Sequence, residues 1–387
     1  MKRNILFVVD EKRMGGVSVL LEDMMNMINI SKYNIDILVL HNNGEMLENL
    51  DKKINIIYGT PYFEAVDYSI KEVLKSRNLK LIYRKLKLIF DMKTGHIEKV
   101  IKKERKKILK KKYDVEIAFK DGFTALFTTF GDSIKKVHWL QYEYKKINPN
   151  ANYDKLFRKI LPTFDNIVAV SDNVKKYFND IYNLNDKVEV IYNIIDQDKI
   201  KIKSKEDCDV VLNKNDLNIV SVGRLHKMKG YDRLIEAFSM LKKENLLNGI
   251  KFRLYGNGLE YENLKQQINN LELNDNIMLM GQVLNPYKYL KNNDLFVLSS
   301  VYEPFGLVIV EALSLHVPVL ATSNSATSKL IEDDKTGLIV ENSVEGIYKG
   351  LKKIINNKEI IKEYKSNLKD YSYDNSELVK QIEKILD

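Results

Sequence analysis

Short apolar runs of strand length recur along this chain with longer amphipathic stretches between them. This alternation limits the possible folds more than any other feature. The first half holds seven such runs: Asn4 to Val9, Ile35 to Leu40, Ile54 to Tyr58, Val115 to Phe119, Val137 to Leu140, Ile167 to Val170 and Val188 to Tyr192. Each is rich in branched or aromatic residues, as strands are. Helix-like segments separate most of them, for example Val17 to Asn29 and Asn173 to Tyr182. Such alternation implies parallel strands joined by crossover helices.

Polar and charged residues dominate from Gln197 to Asp216, which reads as an interdomain linker and the edge of a second domain. The alternation then resumes. Asn218 to Val222, Lys251 to Tyr255, Ile277 to Met280, Leu295 to Leu298, Val317 to Ala321 and Gly337 to Val340 read as strands. Helices fit Tyr231 to Glu244, Glu260 to Leu271, Phe305 to Leu315 and Val344 to Asn356. The expected fold class is therefore α/β, with two doubly wound parallel-sheet domains in series. A length of 387 residues suits two domains of ordinary size. Ligands of such sheets bind beyond the carboxyl ends of the strands, so a cleft between the domains is the expected site.

The single cysteine, Cys208, excludes an internal disulfide and any cysteine cluster for zinc or iron–sulfur. The apolar run Ile5 to Val9 is too short for a signal peptide, and no stretch has the length of a spanning helix. The expectation is a soluble, cytoplasmic protein. The net charge of +9 lies entirely in residues 1–200, while residues 201–387 balance to zero. Residues 71–112 alone carry 17 basic and 4 acidic side chains. Such a field favours an anionic partner. Residues 79–112 read as helices in which basic side chains interleave with Leu, Ile, Phe and Tyr. They fit a helix lying on an anionic membrane surface, or simply a solvated helical face. A nucleic-acid signature is absent, and nucleic acid is not expected as a partner.

Three segments could carry chemistry. The first apolar run is followed by Gly15-Gly16, a turn that lets backbone N–H groups approach a phosphate. In the second half, the run Ile219 to Val222 leads into Gly223-Arg224-Leu225-His226-Lys227-Met228-Lys229-Gly230. Arg224 offers a planar fork and Lys229 a mobile point charge for phosphate oxygens. The third segment, Glu303-Pro304-Phe305-Gly306-Leu307-Val308-Ile309-Val310-Glu311, follows the run Leu295 to Leu298. Pro304 suits a first helical turn, which would leave the N–H groups of Phe305, Gly306 and Leu307 available to an anion or a sugar oxygen. Glu303 and Glu311 would lie about two turns apart on one continuous helix, and carboxylates accept hydrogen bonds from sugar hydroxyls.

Together these motifs resemble the retaining glycosyltransferases of family 4, which have the GT-B fold. The match covers nearly the whole chain and is strongest from about 165 to 342. It includes Glu303 to Glu311, Gly223-Arg224-Leu225 with Lys229-Gly230, Val170-Ser171, Tyr192 to Asp196, Gly256-Asn257-Gly258, Gly281, and Thr336-Gly337-Leu338. The resemblance implies an acceptor-side domain over 1–196, completed by a C-terminal helix within 371–387, and a donor-binding domain over 197–370. It implies a nucleoside-diphosphate sugar as donor, a UDP-sugar by family frequency, with no metal or other cofactor. Arg224 and Lys229 would contact the diphosphate. Glu303, with the N–H groups of Phe305, Gly306 and Leu307, would hold the sugar, and Glu311 the ribose. Gly16 would close over the phosphates, and the backbone around Val283 would meet the base. Asp207-Cys208-Asp209 has the form of a metal-binding Asp-x-Asp pair but lies in the polar stretch, and we read it as chance.

The family's first-domain histidine has two candidates here. If Trp139 keeps the register seen in some relatives, the position falls on Gln141. In a shifted register it is His138, which would then be catalytic. Gln141 can hydrogen-bond a sugar hydroxyl but cannot act as a base. The expected activity is retaining transfer of a hexose or N-acetylhexosamine to a glycan, lipid-linked or protein-linked acceptor. This fits surface polysaccharide or glycoconjugate synthesis, with the protein peripheral on the inner face of the cell membrane. A UDP-sugar epimerase of the same fold and a non-catalytic sugar-nucleotide-binding subunit are the alternatives.

Overall fold

The structure, a computed structural model, describes residues 2–11, 16–41, 50–66, 68–141, 151–324 and 326–387. The chain forms two units, Met1–Ile194 with Asn375–Asp387, and Ile195–Asp374. The divisions expected after 196 and 370 thus fall after 194 and 374. Local packing explains both shifts. Asp196 caps a helix of the second unit, accepting from the Lys199 N–H at 2.9 Å. The Tyr373 N–H donates to Gln197 Oε1 at 2.8 Å, which holds 371–374 on that unit as well.

In the first unit the strands are β1 (Arg3–Glu11), β2 (Tyr33–His41), β3 (Asn55–Tyr58), β4 (Val115–Ala118), β5 (Lys135–Leu140), β6 (Asn166–Ala169) and β7 (Val188–Val190). Its helices are α1 (Gly16–Met27), α2 (Ile70–Lys75), α3 (Leu79–Lys93), α4 (Ile97–Ile108), α5 (Phe123–Thr129), α6 (Ala151–Ile160) and α7 (Asp172–Tyr182). The strands form one parallel sheet in the order β3-β2-β1-β4-β5-β6-β7. Ile5, Leu6, Phe7 and Val8 of β1 have no exposed surface. Consecutive residues of a strand point to opposite faces, so such a run requires cover on both sides of the sheet. That requirement is why these strands read as unbroken apolar runs.

The second unit begins with α8 (Gln197–Lys203), then β8 (Leu217–Val222), α9 (Tyr231–Lys243), β9 (Ile250–Tyr255), α10 (Tyr261–Asn270) and β10 (Ile277–Gly281). It continues through α11 (Tyr287–Leu290), β11 (Leu295–Leu298), α12 (Leu307–Ser314), β12 (Val319–Thr322), α13 (Thr327–Leu330) and β13 (Gly337–Val340). Two helices, α14 (Val344–Asn356) and α15 (Glu359–Asn367), complete it. Its strands are again all parallel, in the order β10-β9-β8-β11-β12-β13.

The polar stretch 197–216 is not a free linker. Ile200 of α8 is buried, and Gln197 Nε2 donates to Ser314 Oγ at 2.8 Å. Lys288 Nζ donates to the Asp207 carbonyl at 2.8 Å, and the Tyr289 hydroxyl to Asp209 Oδ1 at 2.7 Å. Only one face of α8 is covered, so its sequence stays polar while its position is fixed.

The last helix, α16 (Ser376–Leu386), belongs to the first unit. Ile382, Ile385 and Leu386 are buried. Glu383 accepts from the Asn29 N–H at 3.0 Å and pairs with Lys32, and the Tyr33 hydroxyl donates to Asp387 at 3.1 Å. Among the described residues, no helix is long and apolar enough to cross a membrane.

Candidate active site

The strand order of the second unit reverses between β8 and β11, where the connections leave in opposite directions. The loops after these two strands diverge and open a crevice at their carboxyl ends. Both segments singled out from the sequence emerge there. Residues 223–230 follow β8, and residues 299–306 follow β11.

Backbone contacts hold these loops against each other. The Val301 N–H donates to the Met228 carbonyl at 2.9 Å, and Ser299 Oγ donates to the Lys229 carbonyl at 2.8 Å. Arg233 of α9 donates to the Ser299 carbonyl at 2.6 Å and to Asn342 Oδ1 at 2.8 Å. Gly230 has φ +63°, and a Cβ there would collide with the Ser299 carbonyl oxygen. Glycine is needed for both the backbone conformation and the close approach. The matched Gly256-Asn257-Gly258 segment has a similar use. The Leu225 N–H donates to the Asn257 carbonyl at 3.0 Å, and a Cβ on Gly256 or Gly258 would strike the loop that carries Arg224.

The structure brings Lys229 and Glu303 together. Lys229 Nζ donates to Glu303 Oε2 at 2.6 Å, and Ser300 Oγ donates to the same oxygen at 3.2 Å. No described residue donates to Glu303 Oε1. The Glu303 side chain is 10% exposed and that of Lys229 24%. Burial works against the lysine's charge, but the Glu303 carboxylate outweighs it and raises the Lys229 pKa above its ordinary value. The ammonium is therefore retained at neutral pH. Arg224 is exposed on the same loop, and no described carboxylate pairs with it.

The helix after β11 starts later than expected. Gly306 adopts φ +88° and ψ +47° and caps α12, which begins at Leu307. Pro304 and Phe305 therefore precede the helix, and Glu303 and Glu311 do not share one. No described residue accepts from the N–H groups of Gly306, Leu307 or Val308. These donors lie at the positive end of α12, where an anion or a sugar oxygen is favoured. Phe305 is buried and meets Tyr373 edge-on at 6.4 Å. Glu311 sits in the second turn of α12 and accepts from the Tyr287 hydroxyl at 3.4 Å. Val283 lies in the loop between β10 and α11, two residues past Gly281, whose φ is +78°.

In the first unit, Gly16 is the first residue of α1, and its neighbour Gly15 lies outside the described residues. His138 lies within β5 and has no exposed surface. Its ring centroid is 5.3 Å from that of Phe164, and its Nε2 is 3.6 Å from Asp121 Oδ1. The reading of His138 as an active-site base places it at a strand end; the structure puts it inside the layer. Gln141 occupies the position just past β5. Its N–H donates to Asp121 Oδ2 at 2.9 Å, and its side-chain Nε2 has no partner among the described residues.

The sequence reading missed Ser300, Tyr287, Arg233 and Asn342. Ser300 could have been found, since it lies two residues past the end of β11. The others act through contacts between distant segments and carry no local signal.

Comparison with known proteins agrees with this geometry. The family model described as Glycosyl transferases group 1 matches residues 202–375. A transferase of Campylobacter jejuni is 32% identical over 230 residues, 58% of this chain and 60% of its own length. It is named N-acetylgalactosamine-N,N'-diacetylbacillosaminyl-diphospho-undecaprenol 4-alpha-N-acetylgalactosaminyltransferase. The match thus spans less than two thirds of that relative. Anabaena HepE, solved with UDP and glucose, superimposes with a TM-score of 0.72 at 18% identity, covering 99% of both chains. A Staphylococcus aureus TarM variant, solved with fondaparinux, alpha-GlcNAc-glycerol and UDP, has a TM-score of 0.68 at 15% identity and covers 100% of both chains. Residues 202–375 are thus similar to the glycosyl transferases group 1, and the two parallel-sheet units of the chain have the GT-B fold.

Proposed function

We propose that this protein is a retaining glycosyltransferase. It moves a hexose or N-acetylhexosamine from a nucleoside-diphosphate sugar, a UDP-sugar, to a glycan, lipid-linked or protein-linked acceptor. The observation that carries this reading is the meeting of Lys229 and Glu303 at the switch point of the second unit, beside Arg224 and the start of α12. The group on offer is a cationic platform next to a carboxylate with one oxygen that takes no bond from a described residue, which suits a sugar joined to a diphosphate. The name of the Campylobacter relative and the UDP in the HepE and TarM structures support the same class.

Charge grows on the bridging oxygen of the diphosphate as the glycosidic bond breaks. Arg224 and Lys229 stabilise that charge, as do the N–H groups at the start of α12. No metal is required for this step. Glu303 accepts from the donor sugar's hydroxyls and Glu311 from the ribose. A donor that engages both partners draws Lys229 from Glu303 towards phosphate. On the acceptor side we assign the strand-end position to Gln141 rather than His138. Gln141 positions a hydroxyl, and the departing phosphate takes the acceptor's proton. The basic balance of residues 71–112 supports an acceptor held at an anionic membrane surface, with the protein peripheral on its cytoplasmic side.

A panel of nucleotide sugars, with and without EDTA, tests this reading by proton NMR. The expected result is turnover of one donor in the presence of EDTA, with the α-sugar released first from an α-linked donor. Failure to turn over any donor, with or without acceptor extracts, overturns it and leaves a binding subunit.

A further inference from the structure

The structure divides the basic segment 71–112 into helices of different character. α4 buries its apolar residues Ile97 and Ile101 and presents Lys99, Lys102, Lys103, Lys106 and Lys107 to solvent. α3 does the reverse. Its inner face is pinned by buried Leu88 and Asp91, with the Tyr62 hydroxyl donating to Asp91 at 2.8 Å and Lys85 donating to the Ala65 carbonyl at 3.0 Å. Its outer face exposes Leu79 (80%), Tyr83 (67%), Leu86 (58%) and Phe90 (60%). At about 100° per residue these four fall within an arc of about 60°. The preceding α2 adds Ile70 and Leu74, both more than half exposed. Single exposed apolar residues are ordinary, but six on two consecutive helices mark a contact surface.

The cations around this surface identify what it contacts. No described carboxylate pairs with Lys71, Lys75, Arg77, Lys80 or Lys93, whereas Lys87 and Arg84 are committed to Asp91 and Glu64. A second copy of the chain would bring the same positive charge against itself. At 15 residues, α3 is also shorter than the roughly 20 needed to cross a bilayer. We infer that α2 and α3 form an interfacial docking surface for an anionic lipid bilayer. Leu79, Tyr83, Leu86 and Phe90, with Ile70 and Leu74, enter the boundary between headgroups and acyl chains, and the unpaired cations meet lipid phosphates. This deepens, and rests on, the reading of a membrane-held acceptor.

The test is flotation of the full chain with phosphatidylcholine vesicles, with and without phosphatidylglycerol, at low and high salt. The wild type floats with the anionic vesicles, and high salt weakens but does not abolish it. The combined change Leu79→Ser, Tyr83→Ser, Leu86→Ser and Phe90→Ser lowers the partition constant at least about tenfold. Unchanged circular dichroism and UDP affinity show that this variant is folded. In a separate Phe90→Trp variant the introduced indole shifts to the blue on anionic vesicles, against the constant signal of the buried Trp139. If the serine variant floats like wild type and the indole does not shift, apolar insertion is overturned while electrostatic membrane binding stands. If the wild type floats with no vesicle, the membrane reading falls with it, and donor turnover in solution is unaffected. A dimer that the serine changes abolish, without flotation, overturns the inference in favour of a second copy.

Discussion

In the first unit the strand order reverses between β1 and β4, and in the second between β8 and β11. A lysine reaches a carboxylate at each reversal. Lys120 meets Asp10 at 2.6 Å, and Lys229 meets Glu303 at 2.6 Å. The placement of the pairs differs. Asp10 lies within β1, and Lys120 is two residues past β4, so that pair ties two strand ends together. Lys229 and Glu303 lie seven and five residues beyond their strands, on loops that also bring Arg224 and the start of α12. Equal distances therefore do not mean equal roles. An ion pair at a strand end is part of the scaffold, whereas one carried outward on two loops can open to a ligand.

The largest expected effect comes from breaking the second pair. Glu303→Ala should lower sugar transfer at least about 100-fold without weakening UDP binding; turnover near wild type would refute the sugar-holding role. Lys229→Gln and Arg224→Gln should each weaken UDP binding about tenfold in calorimetry, and unchanged affinity in both would remove the anion site. In the first unit, Asp10→Asn should cost roughly 1–3 kcal/mol of stability and leave UDP affinity untouched. A matching loss of UDP affinity would erase the contrast between the two pairs. The smallest effects test the loops. Gly230→Ala should destabilise by about 2 kcal/mol, since the left-handed φ and the Ser299 carbonyl both oppose a side chain. Gly306→Ala should cost about 1 kcal/mol, because there the tightest contact of the added carbon is with the movable Ile309 Cδ1 at 2.9 Å, and Glu303 Cγ lies at an ordinary 3.5 Å. Thermal unfolding of both variants reads the order, and Gly306→Ala unfolding first would reverse it.

The thirteen strands of the described residues were legible in the sequence because a parallel sheet covered on both faces demands unbroken apolar runs. Lys229, Arg224 and Glu303 were legible as well, because they lie on the loops that follow two of these runs. The polar α8 was hidden because a helix covered on one side keeps a polar composition. The start of α12 was misjudged because Pro304 marks a helix opening, while the left-handed Gly306 that delays it is visible only in the backbone. Periodicity and spacing by themselves determined two doubly wound units and the segments that carry charge. Only the tertiary structure decided that β8 and β11 are neighbours, that Lys229 and Glu303 therefore meet, that His138 is enclosed while Gln141 stands at the strand end, and that α3 turns its apolar face outward. The reason is physical: burial patterns are written locally, residue by residue, whereas strand order and helix orientation depend on contacts between segments far apart in the chain.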